Sequence, residues 1–109
     1  METKSQQLVA TVLSQPSPLE GQNNRSSGNF STESLPSGTQ YLKWEIEGGG
    51  NPDLISFNVM EDRSAAVDPV LFTGVLSGNR TNVVSKRLLY IANPSNASEP
   101  FTVSVYAVF

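Results

Sequence analysis

The closing stretch Phe101-Thr-Val-Ser-Val-Tyr-Ala-Val-Phe109 constrains the fold of this chain more than any other. Phe101, Val103, Val105, Ala107 and Phe109 alternate with Thr102, Ser104, Tyr106 and Val108, the period at which successive side chains leave opposite faces of a strand. Such a strand needs a core on one side only. Pro100 has no N–H to give to a ladder and stands where the strand would begin. The chain ends on an aromatic ring with no polar tail behind it, so Phe109 is expected to take part in the packing.

The same reading along the chain finds more strands and no sustained helical period. In Tyr41-Leu-Lys-Trp-Glu-Ile-Glu47 the residues Leu42, Trp44 and Ile46 share one face and Lys43, Glu45 and Glu47 the other, which predicts a half-buried antiparallel strand with Trp44 as a core anchor. Gly48-Gly-Gly-Asn-Pro-Asp53 supplies a reversal, and Leu54 to Met60, with Ile55, Phe57 and Val59 on one face, is predicted to pair back as a hairpin. A charged connection follows, with one helical turn expected at residues 64–67. Val70 to Leu76 reads as a strand whose Gly74 implies a bulge. In Thr81 to Ile91 the adjacent pairs Val83-Val84 and Leu88-Leu89 break the alternation, so a bulge or burial of both faces is predicted. Residues 93–100 form the last loop.

The first third is different. Leu8-Val-Ala-Thr-Val-Leu13 is long enough for a short strand, but Ser14 to Ser37 is rich in Ser, Gln, Asn, Gly and Pro and reads as a loop or arm. A polar segment of this kind cannot offset its ordering entropy from a core of its own, so an ordered arm implies something outside to hold it. The predicted organisation is all-β: residues 1–37 as an extended N-terminal arm with a short strand near 8–13, and residues 38–109 as a small antiparallel β-sandwich or jelly-roll-like barrel of five to seven strands.

Composition narrows the chemistry. The chain has 109 residues, enough for one domain and one core. It has no cysteine and no histidine, which removes disulfides, thiolate metal sites, the commonest general base and every Ser-His or Cys-His arrangement. Seven basic residues against ten acidic ones give a net charge of −3, and the basic residues are scattered, unlike a phosphate-binding groove. No run approaches the ~20 apolar residues of a membrane helix, and the N-terminus is too polar for a secretory signal. The simpler expectation is a complete product made and kept in the cytoplasm, the alternative a mature form whose leader is missing.

Each candidate motif has a simpler structural reading. Asp53, Glu61, Asp62 and Asp68 are loop carboxylates whose spacing fits no calcium loop, and Gly48-Gly-Gly lacks the Lys-Ser/Thr and helix of a phosphate cradle. Asn-x-Ser/Thr matches occur at Asn24, Asn29, Asn79 and Asn96 and mark loops. Tyr41 and Tyr106, on the outward faces of their strands, are candidates for partner contact.

The expected role is that of a non-enzymatic structural protein of a large assembly: a small capsid decoration or cement protein, or another minor virion component, of a tailed bacteriophage. The expected partners are shell subunits and copies of itself, as a dimer or trimer, with no cofactor, metal, nucleic acid or membrane. Contact is assigned to Leu8, Val9, Val12, Leu13 and Phe30 in the arm and to Tyr41, Tyr106 and Phe109 in the domain. The alternative is a secreted β-sandwich module that binds carbohydrate or a cell surface. A small enzyme using carboxylates alone, such as Glu45 with Glu47, ranks last because both leave the same exposed strand face.

Overall fold

Alternating apolar and polar residues become two antiparallel sheets of four strands each in this computed structural model, which describes residues 6–18, 24–32, 35–63 and 67–109. The strands are β1 (Gln6–Ser14), β2 (Phe30–Ser31), β3 (Tyr41–Gly48), β4 (Ser56–Glu61), β5 (Val70–Leu76), β6 (Arg80–Thr81), β7 (Leu88–Ser95) and β8 (Phe101–Val108). Sheet A has the order β1-β8-β3-β6 and sheet B the order β2-β7-β4-β5. The pairs β1–β8, β2–β7, β3–β6 and β4–β5 are all antiparallel neighbours. The chain is thus a two-stranded ribbon, doubled back between β4 and β5 and rolled until β8 meets β3 and β7 meets β4.

The core lies between the sheets. Sheet A contributes Leu42, Trp44, Ile46, Phe101, Val103 and Val105, and sheet B contributes Phe30, Phe57, Val59, Val75, Leu89 and Ile91, all in one buried cluster. Trp44 is the junction. Its ring meets Phe30, Phe57 and Phe72 edge-to-face at centroid distances of 6.1, 6.0 and 6.2 Å, and its indole N–H donates to Thr81 Oγ1 at 3.0 Å. Edge-to-face pairs of this kind each add about 0.5–1.5 kcal/mol beyond burial.

Strands β3, β5 and β8 lie where the alternation places them. The predicted hairpin of residues 41–60 does not form: β3 belongs to sheet A and β4 to sheet B. Gly48 to Gly50, all at positive φ, and a short 3-10 turn at Pro52–Leu54 carry the chain around a corner from one layer to the other. Among the described residues eight strands are present, two of which, β2 and β6, are only two residues long and leave no period to read. Gly74, at φ +61, sits in an irregular β4–β5 pairing with shifts around Val59, as a bulge requires. In β7, Leu89 and Ile91 face the main core while Tyr90 and Ala92 are buried on the other side. Both faces of that strand are therefore covered. The expected helical turn falls largely on residues 64–66, which lie outside the described residues.

The described segments of the leading third, expected from composition to be an arm, lie along the domain's own sheets. β1 pairs with β8 from Gln6–Val108 to Ser14–Phe101, and residues 24–32 run along β7 through Arg25–Ala92 and Phe30–Leu89. Buried hydroxyls replace a private core. Ser14 Oγ and Ser26 Oγ lie 2.8 Å apart, Ser26 N–H donates to the Ile91 carbonyl, and Ile91 N–H donates to Ser27 Oγ at 2.8 Å. This serine-rich stretch is polar because its side chains stitch it to a neighbouring strand.

Gly49 gives a test of the corner. It is buried at φ +75, and an added Cβ would overlap Ile55 Cδ1 and lie 3.1 Å from Phe101 Cβ. Gly49→Ala is expected to lower stability by about 2–4 kcal/mol, combining left-handed strain with overpacking, as measured by urea denaturation. A loss below half a kcal/mol, roughly the scatter of a neutral surface change, would show that the corner yields easily.

Candidate interaction surface

Antiparallel register decides which outward side chains meet. On sheet A, Leu8 pairs with Tyr106, Tyr106 with Lys43, and Lys43 with Arg80, so one row crosses all four strands from an apolar end to a cationic end. Tyr41 precedes Lys43 on the same face and pairs with Val108, which makes it a diagonal neighbour of Tyr106. Leu8 and Tyr41 are 51% and 43% exposed, and Leu13 on the same face is 56% exposed, areas large enough for contact. Phe109, 40% exposed, ends β8 beside Gly38. The chain terminus therefore borders solvent rather than closing the core, contrary to the sequence expectation.

The charged part of this face is internally matched. Lys43 Nζ lies 3.0 Å from a Glu45 carboxylate oxygen and donates to Gln6 Oε1 at 3.4 Å. The Arg80 guanidinium carbon is 5.9 Å from the Tyr41 ring centre, within cation–π range. Of the eight predicted contact residues, Leu8, Tyr41 and Tyr106 come together on the outward face of sheet A, Leu13 leaves the same face farther along, opposite Thr102, and Phe109 follows the end of β8. Phe30 does not reach the surface: it is 7% exposed and lies against Trp44. Val9 and Val12 are half-buried against the same core. Their strand runs along the domain's own sheet, so its inward residues serve that sheet.

The loop carboxylates have partners too. Asp62 Oδ2 accepts from Arg25 at 3.1 Å and from Asn29 at 3.0 Å, while the Arg25 guanidinium lies 3.8 Å from the centre of the Tyr90 ring. Glu61 joins Arg87 at 2.8 Å and Arg63 at 3.4 Å. Asp68 accepts the Tyr90 hydroxyl and the Arg63 N–H. These groups tie residues 24–29 and the connection after β4 across the outer face of sheet B. Sequence reasoning missed this clasp, because its members lie far apart in the chain, Arg25 from Asp62 by 37 residues and from Tyr90 by more, and no local pattern joins them. Among the described residues, no group of three acidic side chains is arranged to hold a metal.

The clasp titrates at both ends of the pH scale. Asp68 is held below its usual 3.8, first by the Tyr90 hydroxyl and then by the Arg63 N–H. At Glu61 burial pushes the carboxyl up, but hydrogen bonds and charge from Arg63 and Arg87 outweigh it and bring it below the usual 4.5. Burial, with help from Asp68, raises Tyr90 from 10.0 to about 12. For the carboxyls the unfolded chain takes up protons first on acidification, so their contribution is present above the ordinary carboxylate range and fades as pH falls through the folded values. For Tyr90 the unfolded chain loses its proton first, so stability declines as pH rises from 10 to about 12. Thermal melts against pH are expected to show both losses, with Asp68→Asn weakening the acid slope and Tyr90→Phe flattening the alkaline one. An alkaline slope unchanged in Tyr90→Phe would assign that loss to another group.

Comparisons of the chain with family models, curated proteins and solved structures found no match, so a functional reading rests on the surface just described.

Proposed function

We propose that this chain is a non-enzymatic structural protein of a large assembly: a small decoration protein or other minor component of a virion shell, acting through contacts with shell subunits and with copies of itself. The observation that carries this reading is the outward surface of sheet A, where Leu8 and Tyr41 stand exposed beside Tyr106, with Leu13 exposed farther along the same face opposite Thr102. Aromatic and aliphatic side chains on a rigid strand face are the usual anchors of a protein contact.

The winding of the ribbon supports the same reading by analogy. An eight-stranded antiparallel roll in which β1 to β4 pair in reverse order with β5 to β8 is the jelly-roll arrangement, used in capsid and lectin domains alike. With residues 6–18 and 24–32 occupied within the domain, the contact passes to the strand face. The second reading, a secreted carbohydrate-binding module, draws on Tyr41 and Tyr106 lying diagonally on one face, where they could stack on a sugar ring.

Tyr106→Ala combined with removal of the terminal ring, Phe109→Ala, separates the two. In shells purified from the source organism, the wild-type chain is expected at a fixed ratio to the shell subunit, and the double variant at an occupancy lower by about tenfold or more, as loss of anchor residues implies. Its melting temperature should move little. A monomer that is absent from such shells and binds an immobilised glycan array, losing that binding in Tyr41→Ala, would replace this reading with the second.

A further inference from the structure

We propose that the outward face of sheet A packs against the same face of a second copy, about a two-fold axis that crosses the strands along the row of Thr11, Ser104 and Glu45. This inference rests on the reading of the chain as a self-associating assembly protein. It names the partner at that face and the way the two copies meet.

Three outward rows cross sheet A. The first runs through Leu8, Tyr106, Lys43 and Arg80, the second through Thr11, Ser104 and Glu45, and the third through Leu13, Thr102 and Glu47. Along β8 and β3 neighbouring rows stand two residues, about 7 Å, apart, so the outer two are equally far from the middle one. Each outer row begins on β1 with an exposed leucine. They end on opposite charges, Lys43 and Arg80 in the first and Glu47 in the third.

Two of these charges are unmatched within the chain. Lys43 is paired with Glu45 at 3.0 Å, but among the described residues neither Arg80 nor Glu47 has an oppositely charged partner. Arg80 has only the Tyr41 ring, 5.9 Å away. One free cation and one free anion thus stand at opposite ends of a single face.

Rotation about the middle row lays the first row of each copy over the third row of the other. Leu8 then meets Leu13 of the other copy, and Lys43 and Arg80 lie over its Glu47. Every contact occurs twice, and the association closes at a dimer. The two Glu45 carboxylates fall near the axis, each matched by its own Lys43. An axis along the strands would instead set Leu8 over Arg80 and Thr102 over Glu47, leaving both charges unpaired. Sheets stacked face to face lie about 10 Å apart and within about 30° of alignment, close enough for these side chains to interdigitate. A face of this size buries roughly 1,000 Å² in total, at the low end of specific interfaces. The dimer is therefore weak in isolation and suited to the high local concentration on a shell.

Sedimentation equilibrium of the full chain from micromolar to about 1 mM is expected to show a monomer–dimer equilibrium. Glu47→Arg and Arg80→Glu, each alone, set like charges over one another twice per dimer and should weaken it by about tenfold or more. Val67→Lys, at an exposed residue on the connection before β5, should not. An equimolar mixture of the two reversed variants is expected to regain the dimer, because each altered charge then faces its opposite on the other chain. Loss through misfolding would not be repaired by mixing. Because the chain has no cysteine, a nitroxide on Thr11→Cys, at the outer end of the middle row, measures the geometry without any change of charge, with an expected separation between copies under about 20 Å. A dimer equally strong in both reversed variants, a mixture that stays monomeric, or labels much farther apart overturns the face pairing while leaving the assembly role standing. A wild-type monomer at about 1 mM overturns the face pairing as well. The assembly role fails with it only if the chain is also absent from purified shells.

Discussion

The contact of Trp44 with Phe57 and Phe72 joins the two layers at the centre of their shared core. The indole stands on β3, in sheet A, and both phenyl rings stand on strands of sheet B, with Phe30 closing the remaining side. Neither sheet could keep its apolar face dry alone, since each has polar residues on its outward side and water would reach the inner one. The ribbon must roll, and the Gly-rich corner after β3 is where it turns. A side chain at Gly49 would meet Ile55 and Phe101, so the close approach of backbone to core fixes where the chain changes layer.

How much of this was legible depends on what kind of contact each residue makes. The inner faces of β3 and β8 could be read because burial on one side writes itself into alternate positions. The partner of each strand could not. β3 and β4 adjoin in sequence and look like a hairpin, yet sequence spacing is silent on whether a Gly-rich turn keeps two strands in one sheet or carries the second into another. The same limit hid the place of residues 24–32. Their serines have the composition of a loop, and only the opposing Ile91 backbone and the nearby Ser14 hydroxyl show that they act as ladder partners.

The candidate surface was half legible for a related reason. Tyr41 and Tyr106 occupy polar phases of alternating strands, so their outward direction followed from the period. Phe30 was misread because its neighbours are Asn, Ser and Thr. A single large ring in polar surroundings carries no phase, and burial against Trp44 is a long-range fact. The clasp of Arg25, Asp62, Asp68 and Tyr90 on sheet B was illegible altogether. It depends on an arginine from one end of the chain lying over a tyrosine in β7.

The placement of β1 changes what its residues can be asked to do. Val9 and Val12 help close the core, Ser14 is buried, and β1 covers the flank of β8. Removing the leading third would therefore open the sheet and take Phe30 from beside Trp44, and any loss of binding would follow from loss of the fold. Only the side chains that leave the outward face of β1, Leu8 and Leu13 among them, are available to another molecule without disturbing the core. One strand thus meets two demands: its inward residues hold the domain together, and its outward residues Leu8 and Leu13 stay exposed on the face of sheet A.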